Sequence, residues 1–272
     1  MGLLNYLIYD GVDSRDFGVF ISGDGAFNAP ARRGEMITIP GRNGYLFMDE
    51  GVFENIEVEY PAFIGTGYER VFRQKLGDFR SALTSRGNYK RLTDTYHPDE
   101  FRLGVYLSGL ETEPENITRA GKFTLKFDCK PQRFLVSGEV PHIFTRNGII
   151  TNPTIFASYP IIKVTGNGTV GIGDYIFKVK NNTTTIIIDT ELMESYIPAA
   201  ELYLLTDENG NLITNEIGFE IEITNGNIYP LNMNSHIEFA NSIIPKIEPG
   251  EIPIRKSGTI TKLEIIPRWW RL

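Results

Sequence analysis

The stretch KFTLKFDCKPQRF, Lys122 to Phe134, alternates apolar and polar residues as far as Cys129 and then meets Pro131. Strict alternation is typical of a β-strand that buries one face, because successive side chains point to opposite sides of a sheet. Proline cannot donate to a central ladder, and a glycine and another proline follow soon after. The stretch therefore predicts a strand that closes one domain, with the boundary between residues 135 and 136.

The chain is predicted to be mainly β and to form two domains, residues 1–135 and 136–272, because 272 residues exceed the usual size of one core. The first domain is predicted to be β-sandwich-like with one α-helix over about residues 67–85, since apolar residues recur there at helical spacing. The second half shows short strand patterns separated by Asn and Gly, which predicts an all-β domain, either a sandwich or a barrel. The apolar residues of the helical pattern are Tyr68, Phe72, Leu76, Phe79 and Leu83.

Composition excludes several classes of protein. The formal net charge of −7 argues against a nucleic-acid binder that neutralises phosphates. No apolar run reaches the roughly 20 residues that span a bilayer, and the N-terminal segment lacks the basic region of a signal peptide. Without such segments, synthesis in a reducing cytosol is expected. The single cysteine permits no internal disulfide, and Cys129 is expected to be buried packing.

No motif predicts a catalytic, metal or cofactor site. GNGTVG, Gly166 to Gly171, has the spacing of a dinucleotide-binding loop, but a strand pattern rather than a helix follows it, which favours a hairpin turn. The three histidines lack zinc-site spacing, and Cys129 lies within an alternating strand, where a structural role is favoured over a nucleophilic one. We interpret the acidic clusters as solvated turn residues, with a glycosidase as a minor alternative. These acidic residues are Glu111, Glu113, Glu115, Asp207 and Glu208.

The stretch RRGEMITIPGRNGYLFMDEG, Arg32 to Gly51, predicts two strands joined by a glycine-flanked loop. Such a segment is either an ordinary hairpin or an extended arm that reaches a neighbouring subunit, with its arginines paired to that subunit's carboxylates. The candidate interface residues are Arg32, Arg33, Gly41, Arg42, Asn43 and Gly44.

Two adjacent tryptophans, Trp269 and Trp270, occur in IIPRWWRL at the end of the sequence. Alternation along a strand places them on opposite faces, so at most one lies in a core and the other is exposed or at an interface. An exposed tryptophan can stack on a sugar ring. Both residues are therefore candidate contacts to a glycan or a partner protein, and the partner protein is preferred.

Taken in order, these segments resemble the siphophage distal tail protein (Dit) family, which belongs to long, non-contractile phage tails. The resemblance covers nearly the whole chain, and it depends on the order and spacing of short segments. These segments are RRGEMITIPGRNGYLFMDEGVFEN (32–55), YERVFRQKLGDFRSAL (68–83), FTLKFDCKPQRFL (123–135), NPTIFASYPIIKVTGNGTVGI (152–172), TTIIIDTE (184–191) and LEIIPRW (263–269).

The resemblance implies a structural protein rather than an enzyme, with no cofactor. Six copies would form a ring at the tail tip through their N-terminal domains, leaving a channel that DNA traverses without specific binding. The second domain would be a galectin-like or carbohydrate-module-like sandwich that points outward. The implied partners are the tail tube protein, the tape-measure protein, a tail-associated hub or lysin protein and, in some relatives, a receptor-binding protein. The implied location is the virion tail tip, assembled in the bacterial host cytoplasm without membrane insertion.

A carbohydrate-binding, lectin-like module that contributes to host adsorption is the alternative function. It is motivated by Trp269 and Trp270. The sequence does not contain the His-x-Asn-x-Arg stretch, followed by Trp and Glu-x-Arg, that true galectins use, and fold resemblance alone does not give function.

Overall fold

The computed structural model divides the chain into two compact units. The first unit contains Met1–Ser137 together with Trp270–Leu272, and the second contains Gly138–Trp269. The division predicted from the sequence, after residue 135, therefore differs in two respects: residues 136–137 and the last three residues lie in the first unit. The described residues are 4–23, 26–66, 68–110, 113–115, 120–182, 184–197, 202–204, 222–224, 231–240 and 243–272.

The described part of the first unit contains eleven strands and one α-helix. The helix is α1 (Glu69–Thr84). The strands are β1 (Leu7–Tyr9), β2 (Val12–Asp13), β3 (Val19–Ile21), β4 (Arg32–Thr38), β5 (Tyr45–Phe53), β6 (Ile56–Gly65), β7 (Lys90–Asp94), β8 (Glu100–Tyr106), β9 (Glu113–Glu115), β10 (Ala120–Leu135) and, from the end of the chain, β24 (Trp270–Arg271).

Nine of these eleven strands form a single sheet in the order β2-β1-β7-β8-β10-β6-β3, with β9 and β24 also paired to β10. Strand β10 is its centre: Ala120–Cys129 pair with β6, and Arg133 and Phe134 pair with β24 on the stretch that β6 leaves free. The sequence predicted that this strand ends at Pro131, but the strand continues to Leu135. Pro131 lies where the register to β8 shifts, between Cys129 and Arg133, and a proline is tolerated at such an irregularity.

Helix α1 packs one apolar side against this unit's core, as its sequence pattern predicts. Phe72, Leu76, Phe79 and Leu83 are buried, and the Phe79 ring lies 6.3 Å from that of Phe123. Tyr68, the first residue of the predicted apolar stripe, is instead exposed at the N-cap position. The alternating residues of β10 behave as predicted too: Phe123, Leu125, Phe127 and Cys129 are buried in the same core as the helix residues.

The second unit is built from two larger sheets. One has the order β11 (His142–Phe144), β23 (Lys262–Ile266), β13 (Ile161–Thr165), β16 (Thr185–Asp189), β17 (Glu194–Ile197) and β20 (Leu231–Asn232). The other has the order β12 (Gly148–Asn152), β22 (Gly250–Lys256), β14 (Gly168–Ile172), β15 (Tyr175–Val179) and β21 (Ile237–Phe239). Strands β18 (Leu202–Leu204) and β19 (Glu222–Thr224) pair with each other. Both larger sheets contain strands with buried aliphatic side chains, as a β-sandwich requires.

The glycines of GNGTVG do not form the predicted hairpin turn. Gly166 and Asn167 connect β13 in one sheet to β14 in the other, and Gly168 and Gly171 lie in β14 itself. Gly166 and Gly168 have positive φ angles of 103° and 151°, and a Cβ on Gly168 would lie 2.0 Å from the Ser257 carbonyl oxygen. Glycine is needed here because a neighbouring backbone approaches closely.

The mainly β fold with one helix is thus confirmed. Among the described residues, no helix is long and apolar enough to cross a membrane.

Candidate functional site

The candidate site is the hairpin of β4 and β5, which we call the arm (residues 32–53). Its strands pair antiparallel from Gly34 opposite Asp49 to Thr38 opposite Tyr45. In the described part of the chain, the two strands pair with each other and with no third strand. The segment is therefore a two-stranded hairpin that is separate from the main sheet.

The tip of the arm follows from its turn residues. Pro40 and Gly41 begin the turn, and the Arg42 N–H donates to the Ile39 carbonyl at 3.2 Å. Gly41 and Gly44 have φ angles of 77° and 81°, which glycine adopts without the steric cost that a side chain would bring. The predicted loop residues Gly41, Arg42, Asn43 and Gly44 are all exposed at this tip.

The arm exposes large apolar side chains along both strands. Their exposed fractions run from 40% for Phe47 to 72% for Tyr45. Soluble chains rarely leave so many apolar side chains together in water, and such groups mark surfaces that bind other proteins. The exposed apolar residues of the arm are Met36, Tyr45, Leu46, Phe47, Met48 and Val52.

The two arginines of the arm are paired within it. Arg32 donates from Nε to Asp49 Oδ1 at 3.0 Å and also contacts Oδ2, while Arg33 Nε lies 2.8 Å from Glu50 Oε2. Hydrogen bonds from Arg32, and then from the Gly51 N–H, lower the pKa of Asp49. The expected pairing of these arginines with a neighbour's carboxylates is thus replaced, in the single chain, by pairing with the arm's own acids.

Polar contacts join the residues at both ends of the arm to the rest of the first unit. After β5, Asn55 Nδ2 donates to Tyr89 Oη and to Asp128 Oδ1, each at 2.5 Å. Before β4, the carbonyl oxygens of Ala26 and Asn28 accept from two buried arginines, Arg133 and Arg102. Sequence reasoning missed these arginines. Their place in alternating strands suggested nothing beyond the strand itself.

The two tryptophans have different environments. Trp269 is 3% exposed, so its indole is not available to stack on a sugar. Trp270 is half-buried and belongs to β24, which pairs with β10 at Phe134. One tryptophan lies inside and the other nearer the surface, as alternation requires.

The cysteine and the acidic residues do not form a chemical site among the described residues. Cys129 is buried, and burial raises the pKa of its thiol to about 12. Among the described residues, no group of three His, Cys, Asp or Glu side chains could hold a metal ion. Of the acidic clusters, Glu111, Asp207 and Glu208 lie outside the described residues, and Glu113 and Glu115 belong to β9.

Comparison with known proteins identifies the kind of fold. Residues 12–129 match the family described as phage tail protein RIFT-related domain. The structure is similar to that of the Dit protein of phage SPP1, described as a paradigm of the hub adsorption apparatus in phages that infect Gram-positive bacteria. The TM-score is 0.65 at 14% identity, over 97% of this chain and 98% of that chain.

Two structures of the phage p2 baseplate in its activated conformation, with Ca and with Sr, are also similar. Their TM-scores are 0.52 and 0.50, both at 11% identity, over 97% of this chain and 98% of those chains. No curated protein sequence is significantly similar to the chain. The resemblance to siphophage distal tail proteins is confirmed by the family match to the first unit and by the shared fold.

Proposed function

We propose that this chain is a structural component of the tip of a long, non-contractile phage tail, where six copies form a ring that joins the tail tube to the baseplate or adsorption apparatus. The match of residues 12–129 to a phage tail domain supports the tail assignment. The fold shared with the SPP1 Dit protein over nearly the full length supports the position at the tip. In this proposal the ring leaves a channel through which DNA passes without specific binding.

The observation that carries the proposal is the arm. Its apolar side chains are exposed, and its strands pair only with each other within the described residues. A second copy of the chain is the proposed occupant, because repeated contacts of one arm with the next subunit close a ring. Arg32 and Arg33 then act by holding the arm's shape, and the exposed apolar side chains contribute the contact.

The remaining partners are proposed from the same assignment. One face of the ring would meet the tail tube and tape-measure proteins, and the other a tail-associated hub or lysin protein. A receptor-binding protein would attach to the second unit. The protein would act without a cofactor or catalytic activity, and it would reach the virion tail tip after assembly in the host cytoplasm.

The test measures mass by light scattering after size exclusion, with negative-stain images of the peak. We expect a hexamer with a central hole for the wild type and a monomer for Met36→Ser/Tyr45→Ser/Phe47→Ser. The matched control is Ile149→Ser/Ile155→Ser/Ile176→Ser, which removes three exposed apolar side chains from the second unit and should leave the hexamer intact.

A wild-type chain that is monomeric when concentrated, and is also absent from purified tails by mass spectrometry, would overturn the proposal. A hexamer that survives the triple substitution in the arm would keep the ring and reject the arm as its contact.

The alternative, a lectin-like module for host adsorption, now depends on Trp270, since Trp269 is buried. A glycan array on which the chain binds, and on which Trp270→Ala does not, would support it. No binding by the wild type would remove it.

A further inference from the structure

Three arginines form a row across neighbouring strands of the first unit. Arg133 on β10 is opposite Arg102 on β8 at one side and opposite Arg271 on β24 at the other. Arg102 and Arg133 are buried, whereas the side chain of Arg271 is 61% exposed. Three cations this close need an anion among them.

That anion is Glu100, a buried residue of β8. Its Oε2 lies 3.6 Å from Arg133 Nη1, and its Oε1 pairs with Arg271 Nη2. The carboxylate is therefore shared between an arginine of the sheet interior and one on the strand that returns from the second unit. Burial makes each of these pairings matter, because an uncompensated charge inside a protein is strongly unfavourable.

Arg133 also contacts the segment that leads into the arm. It donates from Nη2 to the Ala26 carbonyl, and Arg102 Nη2 donates to the Asn28 carbonyl at 3.2 Å. Between these two points, the Phe27 ring packs 5.0 Å from that of His97. We call residues 26–31 the arm root. Its backbone is thus fixed by side chains of the sheet rather than by strand pairing.

We infer that Arg271, Glu100, Arg133 and the Ala26 carbonyl form a relay that couples strand β24 to the arm root. The coupling arises because Arg133 has two acceptors, Glu100 and the Ala26 carbonyl. While Arg271 shares the charge of Glu100, Arg133 remains on the carbonyl. When β24 withdraws, the full charge of Glu100 faces Arg133, and a guanidinium binds a carboxylate more strongly than a carbonyl. The root then loses a donor, and the arm gains freedom.

The relay concerns a single chain and does not depend on the ring. Amide hydrogen exchange measured by mass spectrometry can test the relay, because two amides report on the root. The Ala26 N–H donates to the Gly23 carbonyl at 3.0 Å, and the Glu54 N–H donates to the Ala31 carbonyl at 2.9 Å. In Arg271→Ala, we expect exchange of peptides covering these amides to accelerate on the order of tenfold, with helix α1 unchanged.

The control is Arg73→Ala, which removes another exposed arginine that is paired, in its case with Glu69 on helix α1. It should leave the root at the wild-type exchange rate. Arg271→Lys keeps the positive charge beside Glu100 and should give a root exchange rate between those of the wild type and Arg271→Ala. If Arg271→Ala does not fold, this milder variant still tests the relay.

A second substitution separates the relay from simple fraying of β24. In Glu100→Gln/Arg271→Ala the competing charge is gone, so Arg133 should stay on the Ala26 carbonyl and root exchange should return toward the wild-type rate. Unchanged root exchange in both Arg271 variants would overturn the relay. Fast root exchange that persists in the double variant would overturn it as well.

Discussion

Arg268 and Asp189 form a two-point ion pair, with 2.9 Å from Nη1 to Oδ1 and 2.6 Å from Nη2 to Oδ2. Arg268 reaches this position with a left-handed backbone (φ 55°), which is costly for a residue with a side chain. Asp189 is buried and also accepts the N–H groups of Glu191 and Leu192. The pair fixes the end of the second unit where the chain leaves it.

Removing the carboxylate should destabilise the second unit. Burial acts to raise the pKa of Asp189, but the hydrogen bonds and charge of Arg268 outweigh it, so the pKa is lowered. A lowered folded pKa contributes stability above the unfolded value and loses it as the pH falls through the folded pKa. We expect Asp189→Asn to cost about 2–4 kcal/mol at pH 7 and progressively less below about pH 4.

Urea unfolding of the wild type and Asp189→Asn at pH 7 and pH 3 measures this difference. Glu238→Gln is the control, because Glu238 forms an exposed pair with Lys180 and should leave unfolding unchanged. An equal cost of Asp189→Asn at both pH values would contradict the assignment of the stability to this ion pair.

Charge reversal tests how the arm's arginines act. In Arg32→Glu/Arg33→Glu, the two new carboxylates would lie beside those of Asp49 and Glu50. Repulsion among these four carboxylates should separate the arm strands near the root. We expect a monomer by light scattering that keeps the wild-type unfolding temperature, because the arm strands pair only with each other among the described residues.

Adding Asp49→Arg/Glu50→Arg restores both ion pairs with exchanged partners. Recovery of the oligomer would show that the arginines act by shaping the arm, whereas a persistent monomer would indicate direct contact with the neighbour. Normal assembly of the first double variant would show that neither is required.

Two glycines should respond in opposite ways to alanine. Gly77 lies on the exposed side of α1, and a Cβ there would meet no atom within 4 Å. Gly77→Ala should therefore stabilise the chain by about 1 kcal/mol through helix propensity. A Cβ on Gly104 of β8 would lie 2.9 Å from Cys129 Sγ, so Gly104→Ala should destabilise it by about 1–3 kcal/mol. Thermal unfolding compares the two, and a destabilising Gly77→Ala would indicate a contact on that helix face.

Cys129 should be inert in the folded chain. Its raised pKa of about 12 leaves very little thiolate at pH 8, and burial excludes the reagent. We expect labelling by a water-soluble thiol reagent to be on the order of a thousandfold slower than in urea-unfolded chain. Rapid labelling under native conditions would show that β10 opens readily.

Local periodicity predicted those parts of the fold that neighbouring residues determine. The alternation from Lys122 to Cys129 identified the centre of β10, and the three- and four-residue spacing identified α1. The same reasoning failed at Pro131, because a proline ends a strand only where its missing N–H would have been needed. Here the register shift between Cys129 and Arg133 removes that need.

The arm was predictable from its turn glycines and its apolar strands, but its electrostatics were not. Sequence shows that Arg32 and Asp49 have opposite charges, but not that the hairpin register brings them together. The row of Arg102, Arg133 and Arg271 was beyond sequence reasoning for a stronger reason. Its members come from three strands far apart in the chain, and strand order in a sheet is set by the packing of the whole unit.

The pairing of β24 with β10 has one more consequence. Phe134 and Trp270 are partners in the ladder, and the Gly138 carbonyl accepts the Arg268 N–H at 2.8 Å, so the chain leaves the first unit and returns to it at the same place. Topologically, the second unit is an insertion between two adjacent strands of its host. Insertions whose ends meet can be exchanged without rerouting the host chain. A different domain could therefore occupy the position between β10 and β24 while the first unit keeps its own fold.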